Sequence, residues 1–401
     1  MKPGYKQTEV GVIPEEWEVK RLSDLALLYQ PITISAKQFK EAGFPVYGAN
    51  GIVGFYHAAN HYTWQVTVTC RGSTCGTVNR TVDECWITGN AMVLNCDQNK
   101  SLSKDFFYYL LLGQDLSDCI TGTGQPQIVR SPIAAFRVAL PTSLPEQRAI
   151  ATALSDVDAL LAALDRLLAK KRDLKQAAMQ QLLTGQTRLP GFEGQWEVKR
   201  LGSLGSFLKG AGIKKDETAS GDIPCVRYGE IYTRHHDIVR DFSSRISRSV
   251  AAQATRLKKG DILFAGSGET KTEIGKTVAF VEECEAYAGG DIVILRPESG
   301  DPTFLGYYLN TPPIQIQKAS RGQGDAVVHI GAAALAAIEL TMPATLAEQT
   351  AIAAVLTDMD AELAALGQRR DKTRALKQGM MQELLTGRTR LLASPQQGGR
   401  A

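Results

Sequence analysis

Two short segments come nearest to a group-transfer site. Phe264-Ala-Gly-Ser-Gly268 could wrap a glycine turn around a nucleoside cofactor, and Thr311-Pro-Pro-Ile314 has the length of a base-holding tetrapeptide. The second fails on chemistry. An extruded amino base needs an Asn, Asp or Ser to accept its amine hydrogens and an aromatic ring to stack on, and Ile314 cannot replace that ring. The surrounding stretch is also too short for a doubly wound cofactor sheet plus a second binding module. The plain reading is a strand turn at 264–268 and a helix stop at 311–314. His235 and His236 are adjacent, do not share a helix face, and lack the Cys or carboxylate spacing of a metal site. The seven cysteines form no CxxC pair and are odd in number, which argues against a disulfide framework and for a reduced, cytoplasmic compartment. No GxxxxGK[ST] phosphate loop is present, so any nucleotide-driven motion must come from elsewhere.

What remains is the chemistry of binding. The net charge is only +3, so an attraction for polyanions has to be local. Between Arg227 and Lys259 the chain concentrates Arg227, Arg234, Arg240, Arg245, Arg248, Arg256, Lys258 and Lys259, with Tyr228, His235 and His236 among them. Such a strip can neutralise phosphates, and arginine can pair bidentately with guanine. Lys271 joins these candidates. The competing reading is a solvated strip paired with local acids such as Asp237 and Asp241. The first half of the chain is leaner in charge and offers Tyr47, Asn50, Tyr56, His57, His61, Arg71, Gln125 and Gln127. Asparagine and glutamine match the N6/N7 edge of adenine, and Gly122 and Gly124 free the loop carrying Gln125 and Gln127 to approach a groove.

These candidates must be positioned by something, and the chain states what twice. The segment Leu144–Leu189 recurs without a gap as Leu346–Leu391, about 202 positions on, with LxEQxAIA, LxDxDAxLAAL and LKQxxMQxLLTGxTRL in common. Ser143 and Thr345 open each copy with a capping box closed by Glu146 and Glu348, and Gly185 and Gly387 end them in the left-handed conformation. About 40 helical residues, or ~60 Å, lie between these ends and need a partner along their length. Ile150, Leu154, Val157, Leu161, Leu164 and Leu168 step by four and three, as do Ile352, Leu356, Met359, Leu363 and Leu366. The spacing predicts that the two copies pair, antiparallel, as a coiled coil. Arg370 interrupts the second seam where the first has Leu168. A surface presented twice is expected to bind something twice. Its shared polar residues, Glu146, Gln147, Asp156 and Asp158, with Glu348, Gln349, Asp358 and Asp360, are the candidate partner contacts.

A shorter repeat, Trp17–Leu22 and Trp196–Leu201 (WEVKRL), has a different offset. It follows the first long helix, whereas its other copy stands at the N-terminus. Joined tail to head, the chain becomes two like halves in a ring, which predicts neighbouring termini and pseudo-two-fold symmetry. Between the helices the landmarks keep one order: strands running into glycine turns at 66–73 and 261–268, strands at 91–96 and 291–297, short helices at 106–111 and 304–309, glycine loops at 121–128 and 320–330, and final strands at 136–141 and 337–343. The expected fold is α/β (α+β), with two strand-rich domains at 1–143 and 190–345, spacer helices at 144–189 and 346–391, and a polar tail at 392–401. No run of about 18 apolar residues exists to span a membrane, and the opening segment has no apolar h-region.

Taken together, the opening YKQTEVGVIPEEWEVKRL (5–22), LPEQRAIATALSDVDALLAAL (144–164), LKQAAMQQLLTG (174–185) and the second copies of the last two resemble the DNA-specificity subunit of type I restriction-modification systems. The resemblance covers nearly the whole chain. It implies two target-recognition domains, each reading one half of a split duplex DNA target, with the helices as a ruler. It also implies two methyltransferase subunits bound near the helices, and restriction or translocase subunits joining for cleavage. No cofactor would then sit on this chain; S-adenosylmethionine, and ATP with Mg²⁺, would belong to partners. The residue chemistry leaves two alternatives, a self-contained methyltransferase built on 264–268 and a coiled-coil adaptor binding protein only.

Overall fold

A computed structural model of the chain describes residues 3–49, 51–122, 124–324 and 327–391. Asn50 and the polar tail therefore lie outside the described residues. The chain divides into two compact units, Met1–Asp165 with Gln368–Ala401, and Arg166–Gly367. The cuts fall inside two long helices, Leu144–Leu183 and Leu346–Leu384. Each unit thus takes the start of one helix and the end of the other, whereas the boundaries drawn from sequence lay at the helix ends.

In the first unit an antiparallel sheet carries the strands Leu27–Tyr29, Ala91–Asn95, Val66–Thr69 and Val78–Arg80 in that order. The second unit repeats it with Gly205–Lys209, Ile292–Pro297, Ile262–Ala265 and Thr277–Ala279, then adds Asp237–Ile238 as a parallel edge strand. The central strands are buried on both faces, which is why they read as unbroken apolar runs. The WEVKR strands pair with the last strand of each domain, Trp17–Arg21 with Arg137–Pro141 and Glu197–Arg200 with Glu339–Met342.

In each unit the largest buried cluster joins the sheet domain to the ends of the long helices. In the first, Trp17, Phe106, Phe107, Ile150, Leu154, Leu384 and Leu385 share a buried cluster, so both ends of the repeat pack on the sheet domain. In the second, Leu182, Leu183, Phe304, Tyr307, Ile352 and Leu356 do the same. At about 1.5–3 kcal/mol for each large apolar side chain buried, these contacts outweigh any single ion pair. The first unit also brings the strands near the start of the chain against the segment that follows the second long helix. Tyr5 donates its hydroxyl to the Gly387 carbonyl at 3.0 Å, and Arg390 pairs with Glu16 at 2.8 Å. Gly185 and Gly387 both stand at φ +71°; a β-carbon at Gly387 would lie 2.6 Å from Pro14, so this position admits only glycine.

The helix segments run antiparallel within each unit. In the first, Asp158 pairs with Lys377 at 2.6 Å and Asp165 with Arg370 at 3.7 Å. In the second, Lys171 pairs with Glu362 at 2.7 Å and Lys175 with Asp360 at 2.6 Å. Ile150, Leu154, Leu164, Leu168, Ile352 and Leu356 are buried, while Met359, Leu363 and Leu366 are half-buried. Arg370 turns its guanidinium to Asp371 at 2.8 Å as well as to Asp165.

The capping boxes form only by half. Ser143 Oγ accepts from the Glu146 amide at 3.5 Å and Thr345 Oγ1 from the Glu348 amide at 3.4 Å. The glutamate carboxylates do not reach back to the caps. Glu146 is taken by Arg390, with one contact of 2.8 Å, and Glu348 by Arg188, with one of 2.7 Å.

Candidate nucleic-acid interface

Two sets of residues share the work in each unit: ties that seat the sheet domain on the helices, and side chains left facing outward. The ties are built alike. Tyr109 donates to Asp158 at 2.8 Å, and Lys377 pairs with the same carboxylate while lying 5.5 Å from the tyrosine ring centroid. Tyr307 donates to Asp360 at 2.6 Å, and Lys175 pairs with Asp360 while lying 5.2 Å from the Tyr307 ring. The second tie carries more charge. Arg240 donates to Asp360 at 2.9 Å, and Asp237 stands 3.7 Å from Lys175. Burial raises the pKa of Asp237 despite the nearby lysine. Burial also works to raise Asp360, but the hydrogen bonds from Lys175 and Tyr307 and the charges of Lys175 and Arg240 together hold it below its ordinary value.

The glutamines of the repeat are ties too. Gln147 accepts from the Ser103 amide at 2.8 Å and donates to the Pro141 carbonyl at 2.9 Å. Gln349 accepts from the Asp301 amide at 2.9 Å and donates to the Pro343 carbonyl at 2.8 Å. Each glutamine thereby holds the N-terminal turn of a short domain helix against its long helix. Glu146, Gln147, Glu348 and Gln349, expected to face partners, are instead buried and bonded inside the chain, and Asp158 and Asp360 are engaged by the ties. Asp156 and Asp358 are the two of the set that remain exposed.

Several outward candidates also turn inward. Tyr47 is buried, with its hydroxyl accepting from the Val82 amide at 3.2 Å. His61 is buried between Tyr29, 2.7 Å from Nε2, and Asn60, 2.7 Å from Nδ1. His235 is buried beside the Glu230 turn. Burial holds both imidazoles below their ordinary pKa, so each behaves as a neutral core group. Arg240 stays exposed, although its guanidinium is engaged by Asp360 in the tie. Tyr56 is half-buried against the edge of Trp86, at 4.9 Å, and His57 is exposed.

What the structure does leave facing out falls into two groups. In the first unit Arg71, Gln125 and Gln127 are exposed, and a single antiparallel bridge brings Arg71 opposite Gln127. In the second unit Arg234, His236, Arg245 and Lys271 are exposed, and Arg227 and Tyr228 are half-buried. The basic strip is partly paired with local acids: Arg234 stands 3.6 Å from Asp241 and Lys259 3.4 Å from Glu283, while Arg245 donates to the backbone carbonyl of Asp222 at 2.9 Å. Tyr228 and His236 line a cleft of about 840 Å³ with Tyr232, Asp237, Lys276 and Asn310.

The catalytic look-alikes dissolve. Phe264 is a fully buried strand residue in the central sheet. Thr311 both closes and opens a helix: its hydroxyl donates to the Tyr308 carbonyl at 2.7 Å, and it is the N-cap of Pro312–Arg321. The expected helix stop is therefore also a start, since proline at the first helical position has no amide to leave unpaired. Among the described residues no His, Cys, Asp and Glu cluster could hold a metal ion, and no helix is long and apolar enough to cross a membrane. All seven cysteines are free.

Sequence reading missed Tyr109, Tyr307, Lys175, Lys377, Arg188 and Arg390. The repeat itself was the available signal, since both lysines and both arginines hold matching positions in its two copies. Shared polar residues had been assigned to partners when many of them serve the internal tie.

Two like units thus present outward polar loops on sheet domains tied to the repeated helices. The chain belongs to the family of type I restriction modification DNA specificity domains, which it matches over residues 14–170 and 193–373. It is a non-catalytic specificity subunit that acts on DNA together with other subunits of its complex. The type I restriction enzyme MjaVIII specificity subunit of Methanocaldococcus jannaschii is 23% identical over 418 residues, covering 96% of each chain. The S subunit of a type I restriction-modification system from M. genitalium shares the fold, with a TM-score of 0.64 at 18% identity over 96% of this chain and 99% of that one. A second solved chain, from work on complex assembly and conformational transition of the type I R-M system, has a TM-score of 0.54 at 16% identity, over 94% of this chain and 99% of that one.

Proposed function

We propose that this subunit recognises a two-part duplex target, one part per unit, and carries two methyltransferase subunits, with restriction or translocase subunits joining where cleavage occurs. The observation that carries the reading is the doubled tie. Tyr109–Asp158–Lys377 and Tyr307–Asp360–Lys175 seat two unlike loop sets on one repeated frame. Two different readers on equal mounts suit a target whose halves differ. Leu160, Leu167 and Leu174 are exposed at heptad spacing on the first long helix, and Asp156 and Asp358 are exposed near the helix starts. They supply apolar and acidic surface for protein partners. In this reading S-adenosylmethionine, ATP and Mg²⁺ stay on the partners, and the complex works in the cytoplasm.

The test is to map methylated adenines in host DNA with and without the gene. A bipartite motif that vanishes on deletion is expected; an unchanged methylation pattern rejects the reading. Turnover by the purified chain alone, given S-adenosylmethionine and DNA, would instead favour a self-contained methyltransferase.

A further inference from the structure

The two units carry their glycine loops on the same backbone frame, and this frame picks out a residue that the sequence left unassigned. In the first unit the Ile128 amide donates to the Cys70 carbonyl at 2.9 Å, and Arg71 pairs with Gln127. In the second the Ile330 amide donates to the Gly266 carbonyl at 2.9 Å, and Ser267 pairs with His329. Each ladder continues the central strand directly, Val66–Thr69 in one unit and Ile262–Ala265 in the other. Each loop turns on a glycine that no other residue can replace. Gly122 has φ +91° and a β-carbon there would lie 2.7 Å from the Gln125 carbonyl oxygen; Gly324 has φ +107° and its β-carbon would lie 2.1 Å from the Val327 oxygen. His329 is thus the counterpart of Gln127, at one ladder position with different chemistry.

Both side chains are exposed, unlike the buried His61 and His235. The His329 ring is held from behind: Nδ1 lies 2.9 Å from the hydroxyl of buried Ser267. That leaves Nε2 as the ring atom without a partner among the described residues. With the serine hydroxyl donating to Nδ1, Nε2 carries the hydrogen and is a donor.

We propose that Gln127 and His329 are the specificity-determining residues at this shared position. Gln127 presents its amide to the N6/N7 edge of an adenine in one half of the target, and His329 donates from Nε2 to a purine N7 in the other. Differing side chains on one frame then give the two halves different sequences. The inference rests on the two-part reading above and names where the bases are contacted.

The test is to replace the gene in its own host by variants carrying Gln127→Ala, His329→Ala, His329→Gln or Ser267→Ala, and to map methylated positions genome-wide. For His329→Ala, one purine position in one half accepts any base, the number of modified sites rises by up to about twofold, and the other half keeps its sequence. Gln127→Ala likewise relaxes one position in the opposite half. His329→Gln changes the preferred base at the same position, and Ser267→Ala, which releases the ring while leaving His329 in place, relaxes that position partially. If His329→Ala and Ser267→Ala both leave every base of the motif unchanged, or lower modification uniformly over all sites as a phosphate contact would, the proposal is overturned. Loss of the two-part reading looks different, because the unaltered gene would then yield no bipartite motif at all.

Discussion

Glu146 and Glu348 are carboxylates with almost no access to water; each is paired with one arginine, and Glu348 also accepts from Trp196 Nε1 at 3.4 Å. Removing one partner of a buried pair leaves an uncompensated charge. We therefore expect Arg390→Gln to lower stability by about 3 kcal/mol, and Glu146→Gln in the same chain to recover much of that loss. Denaturant midpoints of the three proteins check this; additive losses in the double variant would refute it. Lys318 makes a second residue-scale case. It is fully buried, donating to the Gly275 carbonyl at 2.7 Å and to Thr277 Oγ1 at 3.2 Å, and burial pushes its pKa down from 10.5 to about 7. Below about pH 7 the amine is protonated both folded and unfolded, so folding bears the whole cost of burying the charge. As pH rises from about 7 toward 10.5, the unfolded chain holds the extra proton and the penalty shrinks. Lys318→Met should thus be more favourable, relative to the parent, at pH 7 than at pH 9.5. Equal differences at both values would count against a neutralised lysine.

At the scale of elements, the ties decide how firmly each sheet domain is seated. Tyr109→Phe removes a hydrogen bond to a carboxylate and is expected to cost about 2 kcal/mol. Tyr307→Phe should cost less, because Arg240 also donates to Asp360 and remains after the change. Urea unfolding of the two variants tests the order, and a larger loss for Tyr307→Phe would contradict the account. The long helices invite a different measurement. Four residues, about one turn, inserted into both should change the gap between the two halves of the methylated motif and leave the bases themselves alone. An unaltered gap would end the ruler idea.

For the molecule as a whole, the sequence determined the architecture because repetition is visible without coordinates. The two copies, the antiparallel run of their segments within each unit, and the closing of Tyr5 and Arg390 within the first unit follow from periodicity and from the displaced WEVKRL motif, whereas the order of strands within the sheets does not. The sites were legible only in part. Arg71 and Gln127 face each other across an antiparallel bridge and are exposed, as is Gln125 two residues before. Tyr47, His61 and His235 went into the core, and Glu146, Gln147, Glu348 and Gln349 went into internal bonds. Residue type tells which groups a side chain can bond, whereas the partner it finds depends on chain segments far away in sequence. Glu146 meets Arg390, and His329 meets Ser267, only once the backbone has closed. Only the tertiary structure could decide which polar groups are consumed in holding the frame and which are left exposed, because burial and pairing are set by packing and not by local pattern.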